Sequence, residues 1–248
     1  MRRLIGLSYS PWSLKARWAL DHAGVDYRWI EYTPMLGEPL LRLRLRRRRV
    51  SVPVLINTAG VFTDSYDIAR HAEAQTRGPS LFPAEKLDEI SRWNQLSEDV
   101  CAAGRALTTR RVASDPSALV ESLPAPVPRR LRRALRPVAK AGAGFLARKY
   151  RLRGTPDADA LETLALGMEA LRDALHDGRA YLLGPLTYAD LAMAVALQFV
   201  QPVADRFVHL GPASRRCWTQ ADLAAAYPDV IAWRDQIFER HWVRHWGR

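Results

Sequence analysis

Three short segments in the N-terminal third put hydroxyls, an acid and a proline where a small ligand can be held. In Ser10–Pro11–Trp12–Ser13 a hydroxyl precedes a proline suited to the first turn of a helix. Unpaired amides and the helix dipole favour an anion at such a point. Ser10 Oγ and the helix end together suit a bound thiolate. The segment has no cysteine, so the sulfur would belong to another molecule. Tyr9 and Ser13 are rival hydroxyls for the same role, and from this tetrapeptide alone a plain N-cap is the favoured reading of Ser10. In Ser51–Val52–Pro53–Val54–Leu55 a proline stands directly before an apolar run. Proline lacks an amide donor and belongs at a strand start or edge. A cis Val52–Pro53 bond would turn the Val52 amide and carbonyl towards a peptide-like ligand. Cis is the minority state, and these residues leave both isomers open. Asp64–Ser65 opens a further helix. Ser65 Oγ and the local amides suit a ligand carboxylate, Asp64 a ligand ammonium, and either residue can instead cap the helix.

Other polar residues have simpler readings. Thr187–Tyr188–Ala189–Asp190 has the form of a capping box, with Asp in place of the commoner Glu. Its Asp190 is expected to serve folding. His22 and His71 fall within helices and read as surface or interface residues. The tail His241, Trp242, His245, Trp246 has no other strong metal ligand nearby and reads as a packed or frayed terminus. No P-loop, paired catalytic carboxylates or Ser–His–Asp arrangement is identifiable, and no metal site is expected.

The elements that must position these residues follow from periodicity. Leu4–Leu7 reads as a strand, Ser13–Gly24 as a helix with apolar residues three or four apart, and Tyr27–Tyr32 as a second strand. Gly24 is a suitable C-cap. Residues 41–46 alternate Leu and Arg, a strand pattern. The arginines that follow repel one another, so 35–49 is expected to be irregular or weakly helical. Val52–Ile56 and Val61–Phe62 pair across the Asn57–Gly60 turn, and Ser65 starts a helix to about Gln75. The Gly/Pro-rich stretch around Thr76–Ala84 is a linker. Helices are expected over 86–111, 158–177, from Thr187 to about Val200, and over 228–241. Five prolines interrupt 112–137. The fold class is α/β, β-α-β-x-β-β-α, followed by an all-α domain.

Composition sets outer bounds. The 248 residues carry 37 Lys and Arg against 26 Asp and Glu, a formal charge of +11. Arginine clusters at 42–49, 129–136 and 148–153 would attract phosphates, acidic membranes or anionic small molecules. Lysine is scarce, which favours arginine standing in for lysine on solvated faces. No zinc-finger spacing or helix-turn-helix signal points to nucleic acid. Cys101 and Cys217 lie far apart and fit free thiols in a reduced compartment. The basic start MRRLIGLSYSPW lacks the apolar stretch of a signal peptide. No run approaches a membrane span. A cytoplasmic protein without membrane or nucleic-acid partners is expected.

The segments converge on one resemblance. YSPWSLKARWAL, SVPVL, FTDSYDIARH and YLLGPLTYADLAMA, in this order and at these separations, resemble soluble glutathione transferases of bacterial type with a serine-class active-site segment. The resemblance spans the chain. It implies a thioredoxin-like domain with a mixed four-stranded sheet over 1–77, a linker over 78–85, and an all-helical domain over 86–248 carrying an electrophile site. Carried over residue by residue, Ser10 would hydrogen-bond the glutathione sulfur. Val52, beside cis-Pro53, would pair with the cysteinyl backbone, and Asp64 and Ser65 would hold the γ-glutamyl group. The electrophile would sit between the domains, near the start of helix 86–111 and the interrupted region 112–137, with Trp12 and Trp93 as walls. The implied reaction is conjugation of glutathione, as co-substrate, to a small electrophile, in a homodimer. A non-catalytic binding protein on the same fold and a glutathione-dependent dehalogenase, isomerase or lyase are the alternatives. Three features depart from the pattern: RLRLRRRR stands before SVPVL, where one of Arg46–Arg49 would hold the glycyl carboxylate or the pocket would favour a more anionic ligand, Asp64 replaces the usual Glu, and the proline-rich insertion at 112–137 makes the helical domain atypical.

Overall fold

A computed structural model describes residues 2–242 except 77, 125 and 155; His245 and Trp246 therefore lie outside the described residues. Strand β1 (Arg3–Gly6) leads through helix α1 (Pro11–His22) to β2 (Arg28–Glu31), which pairs parallel to β1. Helix α1 ends in a Schellman motif. Gly24 is left-handed (φ 66°), its amide donates to Asp21 O, and the Val25 amide donates to Leu20 O at 2.9 Å. Helix α2 (Glu38–Leu45) precedes β3 (Val54–Asn57), β4 (Gly60–Phe62) and α3 (Ser65–Glu73). The mixed sheet has the order β2-β1-β3-β4, with β3 antiparallel to both neighbours. Asn57 Oδ1 accepts from the Ala59 and Gly60 amides and closes the β3–β4 hairpin.

Alternation along the strands fills both sheet faces. Leu4 and Leu55 join Ala16, Leu20, Ile68 and Ala72 under α1 and α3, while Ile5 and Val54 meet Tyr32 and Leu41 under α2. The segment 35–49, expected to be irregular or weakly helical, contains a two-turn helix. A helical period turns Leu41 and Leu45 inwards and leaves Leu36, Leu40 and Leu43 exposed, so the alternation of Leu and Arg is not a strand.

The remainder is helical. Helix α4 (Leu87–Ser114) is the longest and packs on α8 (Asp157–Ala174) and α9 (Tyr188–Ala196), whose nine residues are all buried. Between α4 and α8 lie α5 (Pro116–Glu121), α6 (Arg129–Arg132) and α7 (Arg136–Lys149). Helices α10 (Pro212–Trp218), α11 (Ala221–Ala226) and α12 (Pro228–His241) complete the chain. The capping box of α9 forms: Asp190 accepts from the Thr187 amide and hydroxyl. Among the described residues no helix is long and apolar enough to cross a membrane, and no group of acidic, His or Cys residues could hold a metal ion.

Helix α1 joins the two halves. Lys15, with no exposed surface, donates to Ser97 Oγ at 2.7 Å and Glu98 Oε1 at 2.8 Å on α4. Trp18 donates from Nε1 to His241 O and packs against Phe238 and Trp242. The Tyr188 amide donates to Leu81 O, and the Tyr188 ring stacks on Phe82.

Candidate functional site

A cavity of about 2280 Å³ lies between the sheet domain and the helices. One wall is the β1–α1 loop, Leu7–Trp12, with Val52; the opposite walls come from α4, α7, Phe199 and α10. Ser10 sits at the N-cap of α1 with extended backbone (φ −75°, ψ 126°) and makes no side-chain cap hydrogen bond. Its amide donates to Leu7 O. The half-buried hydroxyl therefore faces the cavity uncommitted, at the positive end of a twelve-residue helix.

The neighbouring hydroxyls differ. Ser13 Oγ is fully buried and accepts from the Leu7 amide at 3.1 Å, which fixes the start of the loop. Tyr9 lines the cavity with its ring edge-on to Trp218. Burial, and then the Glu31 charge, push its phenol up to about 12, so Tyr9 is a weaker proton donor than an ordinary tyrosine.

The Val52–Pro53 peptide is cis. Val52 lines the cavity, and among the described residues neither its amide nor its carbonyl has a backbone partner. Pro53 is buried behind it and does not reach the cavity. Asp64 and Ser65 also stand outside the cavity lining. Asp64 Oδ1 caps α3, accepting from the Tyr66 amide at 2.8 Å and the Asp67 amide at 3.4 Å. Ser65 is buried, and its Oγ has no well-formed hydrogen bond. The buried Tyr188 hydroxyl, close enough to Ser65 to feel it, is likewise unsatisfied.

Trp12 lines the cavity. Its Nε1 donates to Glu98 Oε2 at 2.5 Å, and the same carboxylate holds Lys15. Trp93 packs against the helical core and forms no part of the cavity, which corrects its assignment as a wall. The helix surface at the cavity is also not the start of α4 but its later turns, Arg105, Thr108, Thr109 and Val112. None of Arg46–Arg49 lines it; Arg47 instead donates to Thr63 Oγ1. Arg105 was not signalled by the sequence. Its guanidinium lies between two rings, 4.4 Å from the Trp12 centroid and 3.8 Å from that of Tyr150. Cys101 is buried, with its thiol pushed up to about 12 by burial, and Cys217 is buried too.

Residues 4–80 match the family model described as glutathione S-transferase, N-terminal domain. A probable glutathione S-transferase of Solanum tuberosum is 35% identical over 103 residues, 41% of this chain and 47% of that protein. One from Nicotiana tabacum is 33% identical over 103 residues, 41% of this chain and 46% of that protein. The matched region thus spans about half the length of these relatives. Over nearly the whole chain the fold is that of solved glutathione transferases. One from Methylobacillus flagellatus, solved with glutathione bound, aligns with a TM-score of 0.60 at 18% identity, over 97% of this chain and 95% of the other. Another, from Phanerochaete chrysosporium, aligns with a TM-score of 0.63 at 16% identity, over 97% of both chains.

Proposed function

We propose that this chain, a glutathione S-transferase superfamily member by its N-terminal domain and overall fold, is a transferase that conjugates the glutathione thiolate to a small electrophile. The observation that carries the reading is the uncommitted Ser10 hydroxyl, at the α1 N-terminus and open to the same cavity as the unpaired Val52 backbone beside cis-Pro53. In this reading the cysteinyl amide and carbonyl of glutathione pair with Val52, which brings the sulfur to Ser10. Ser10 Oγ donates to the sulfur, and the helix end adds a fixed positive potential. Together they favour the thiolate over the thiol and hold it where the electrophile enters. The sulfur then attacks, its lost proton having gone to solvent. The γ-glutamyl carboxylate would meet the α3 N-terminus, where the buried Ser65 Oγ lacks an acceptor.

One observation favours the non-catalytic alternative. Asp64 is occupied as a cap, and neither Asp64 nor Ser65 opens into the cavity. A thermal-shift titration with millimolar glutathione tests the transferase reading, which requires stabilisation; no shift would sink it and leave the non-catalytic interaction protein on the same fold. Given binding, Ser10→Ala is expected to lower conjugation of 1-chloro-2,4-dinitrobenzene by about 10-fold or more, the scale of one lost charge-assisted hydrogen bond, while retaining most glutathione affinity. Unchanged turnover would remove Ser10 from this role and bring Tyr9 forward.

A further inference from the structure

Four residues of α4 line the cavity at positions 105, 108, 109 and 112. This is the spacing of one helix face, so the α4 wall is a single strip. It begins with a guanidinium, continues through two hydroxyls and ends on Val112. The Arg105 guanidinium lies over the rings of both Trp12 and Tyr150, and it has neither an ion-pair nor a hydrogen-bond partner among the described residues. Its Nε is buried with no acceptor, and one turn on the buried Thr108 Oγ1 is unsatisfied too.

The carboxylates nearby are committed elsewhere. Glu98 holds Trp12 and Lys15. Glu121 accepts from the Ala213 and Ser214 amides. Glu31 accepts from the Ser8 amide and Trp29, and Glu38 from Tyr32, Arg42 and Lys149. A partly buried cation with no carboxylate in direct contact is costly to a fold, and Glu98 acts on Arg105 only at a distance. The two rings supply part of the compensation through cation–π contact, and they hold the guanidinium plane still. Its N–H edge is then preorganised for an oxyanion, two of whose oxygens an arginine fork binds through parallel hydrogen bonds. Beside it, Phe199 and Trp218 stack with centroids 4.6 Å apart and planes within 8°, and both line the cavity. The wall thus sets two largely buried aromatic rings at the border of the cavity that the cation also lines.

We propose that Arg105 selects the second substrate, which is an aromatic electrophile carrying a carboxylate or sulfonate: the acid group docks on the guanidinium and Thr108, and the ring lies against Phe199 and Trp218. This rests on the transferase reading above for its chemistry, but not for its binding. With an aryl chloride the balance is simple. The glutathione sulfur forms a C–S bond, the C–Cl bond breaks, chloride leaves with the bonding pair, and the thiol proton passes to solvent.

Two measurements test the proposal separately. The first needs no glutathione. Binding of 8-anilinonaphthalene-1-sulfonate and of the neutral N-phenyl-1-naphthylamine is followed by fluorescence in the wild-type protein, Arg105→Met and Arg105→Gln. Loss of a charge-assisted pair is expected to weaken the sulfonate by about 10-fold or more and to leave the neutral dye within about two-fold. Equal weakening of both dyes, or of neither, in variants that melt as the wild type does would overturn it. The glutamine variant keeps a polar side chain should the methionine variant fail to fold. The second measurement compares 4-chloro-3,5-dinitrobenzoate with 1-chloro-2,4-dinitrobenzene as electrophiles. Arg105→Met should raise KM for the benzoate and spare kcat, with little change for the neutral compound. A fall in kcat on both compounds alike would contradict the assignment. If neither compound reacts while the dye selectivity holds, the transferase reading fails and the anion site stands.

Discussion

Asp190 has no exposed surface, and its carboxylate accepts from the Leu182 amide at 2.7 Å, the Thr187 amide at 2.8 Å and the Thr187 hydroxyl at 3.0 Å. Burial pushes its pKa up to about 6, against the pull of those bonds. The folded state thus holds a proton that the unfolded state releases near 3.8. The stability from this group is complete below the unfolded value and is lost as pH rises through about 6. Relative to Asp190→Asn, the wild type should lose about 3 kcal/mol between pH 3.5 and 7, measured by urea unfolding at each pH. A flat difference would show that the hydrogen bonds cancel the effect of burial, and a gain in stability with pH that they outweigh it. The importance of Asp190 is legible in the sequence because a capping box is local, three residues wide. Ser10 and Ser13 are not separable by that means. Which hydroxyl meets the Leu7 amide and which meets the cavity depends on how the chain leaves β1. Arg105 is less legible still, since one arginine among many acquires meaning only when α7 brings Tyr150 against it.

At the scale of elements, the sheet domain was readable because each strand and helix is short, bounded by Gly, Pro or a cap, and patterned for two faces. Helix α2 was obscured by charge. Its arginines point to solvent, and Arg42 pairs with Glu38 at 2.8 Å, so the repulsion that argued against a helix is relieved outside it. Helix α7, rich in Ala and Gly, buries only the small residues Ala139 and Ala143, and its docking is tertiary: Lys149 donates to the buried Glu38 on α2. The close packing around α4 was equally hidden. A methyl at Gly104 would overlap the Cβ and Cγ of Phe199, and one at Gly167 would come within 2.5 Å of Val100 Cγ2. These glycines matter for their lack of bulk, which lets Phe199 lie against the α4 backbone and Val100 of α4 against the α8 backbone. Gly104→Ala should therefore destabilise the protein by about 1–3 kcal/mol despite the better helix propensity of Ala. Displacement of Phe199, a cavity wall, should weaken the neutral dye as well as the anionic one. Thermal melts and the dye titration check both points, and a stabilised variant would mean that the α4 wall is looser than its packing indicates.

On the scale of the molecule, the question is what keeps the two halves of the cavity in register. Apolar contact through Trp18, Phe238 and Trp242 gives cohesion, but it is not directional. Direction comes from Glu98. Its two oxygens hold Lys15 and Trp12, so one carboxylate on α4 fixes the first two turns of α1, the turns that carry Ser10 at their head. The same Trp12 ring stacks on Arg105, which ties the thiolate end of the proposed site to the electrophile end through one side chain. Lys15 is completely buried and Glu98 about a quarter exposed. Removing the acid leaves an ammonium with only Ser97 Oγ for company. Glu98→Ala should cost about 3 kcal/mol, the scale for breaking a buried pair on one side. Lys15→Met/Glu98→Leu should recover much of that loss, because an apolar pair needs no counter-charge. Denaturant unfolding followed by tryptophan fluorescence and far-ultraviolet circular dichroism distinguishes the outcomes. Coincident transitions in the wild type would mean that the halves unfold together. Separate transitions in Glu98→Ala would locate their coupling in this carboxylate. A Glu98→Ala protein as stable as the wild type would place the coupling in the Trp18 cluster instead, leaving the orientation of Trp12 to the Arg105 stack alone.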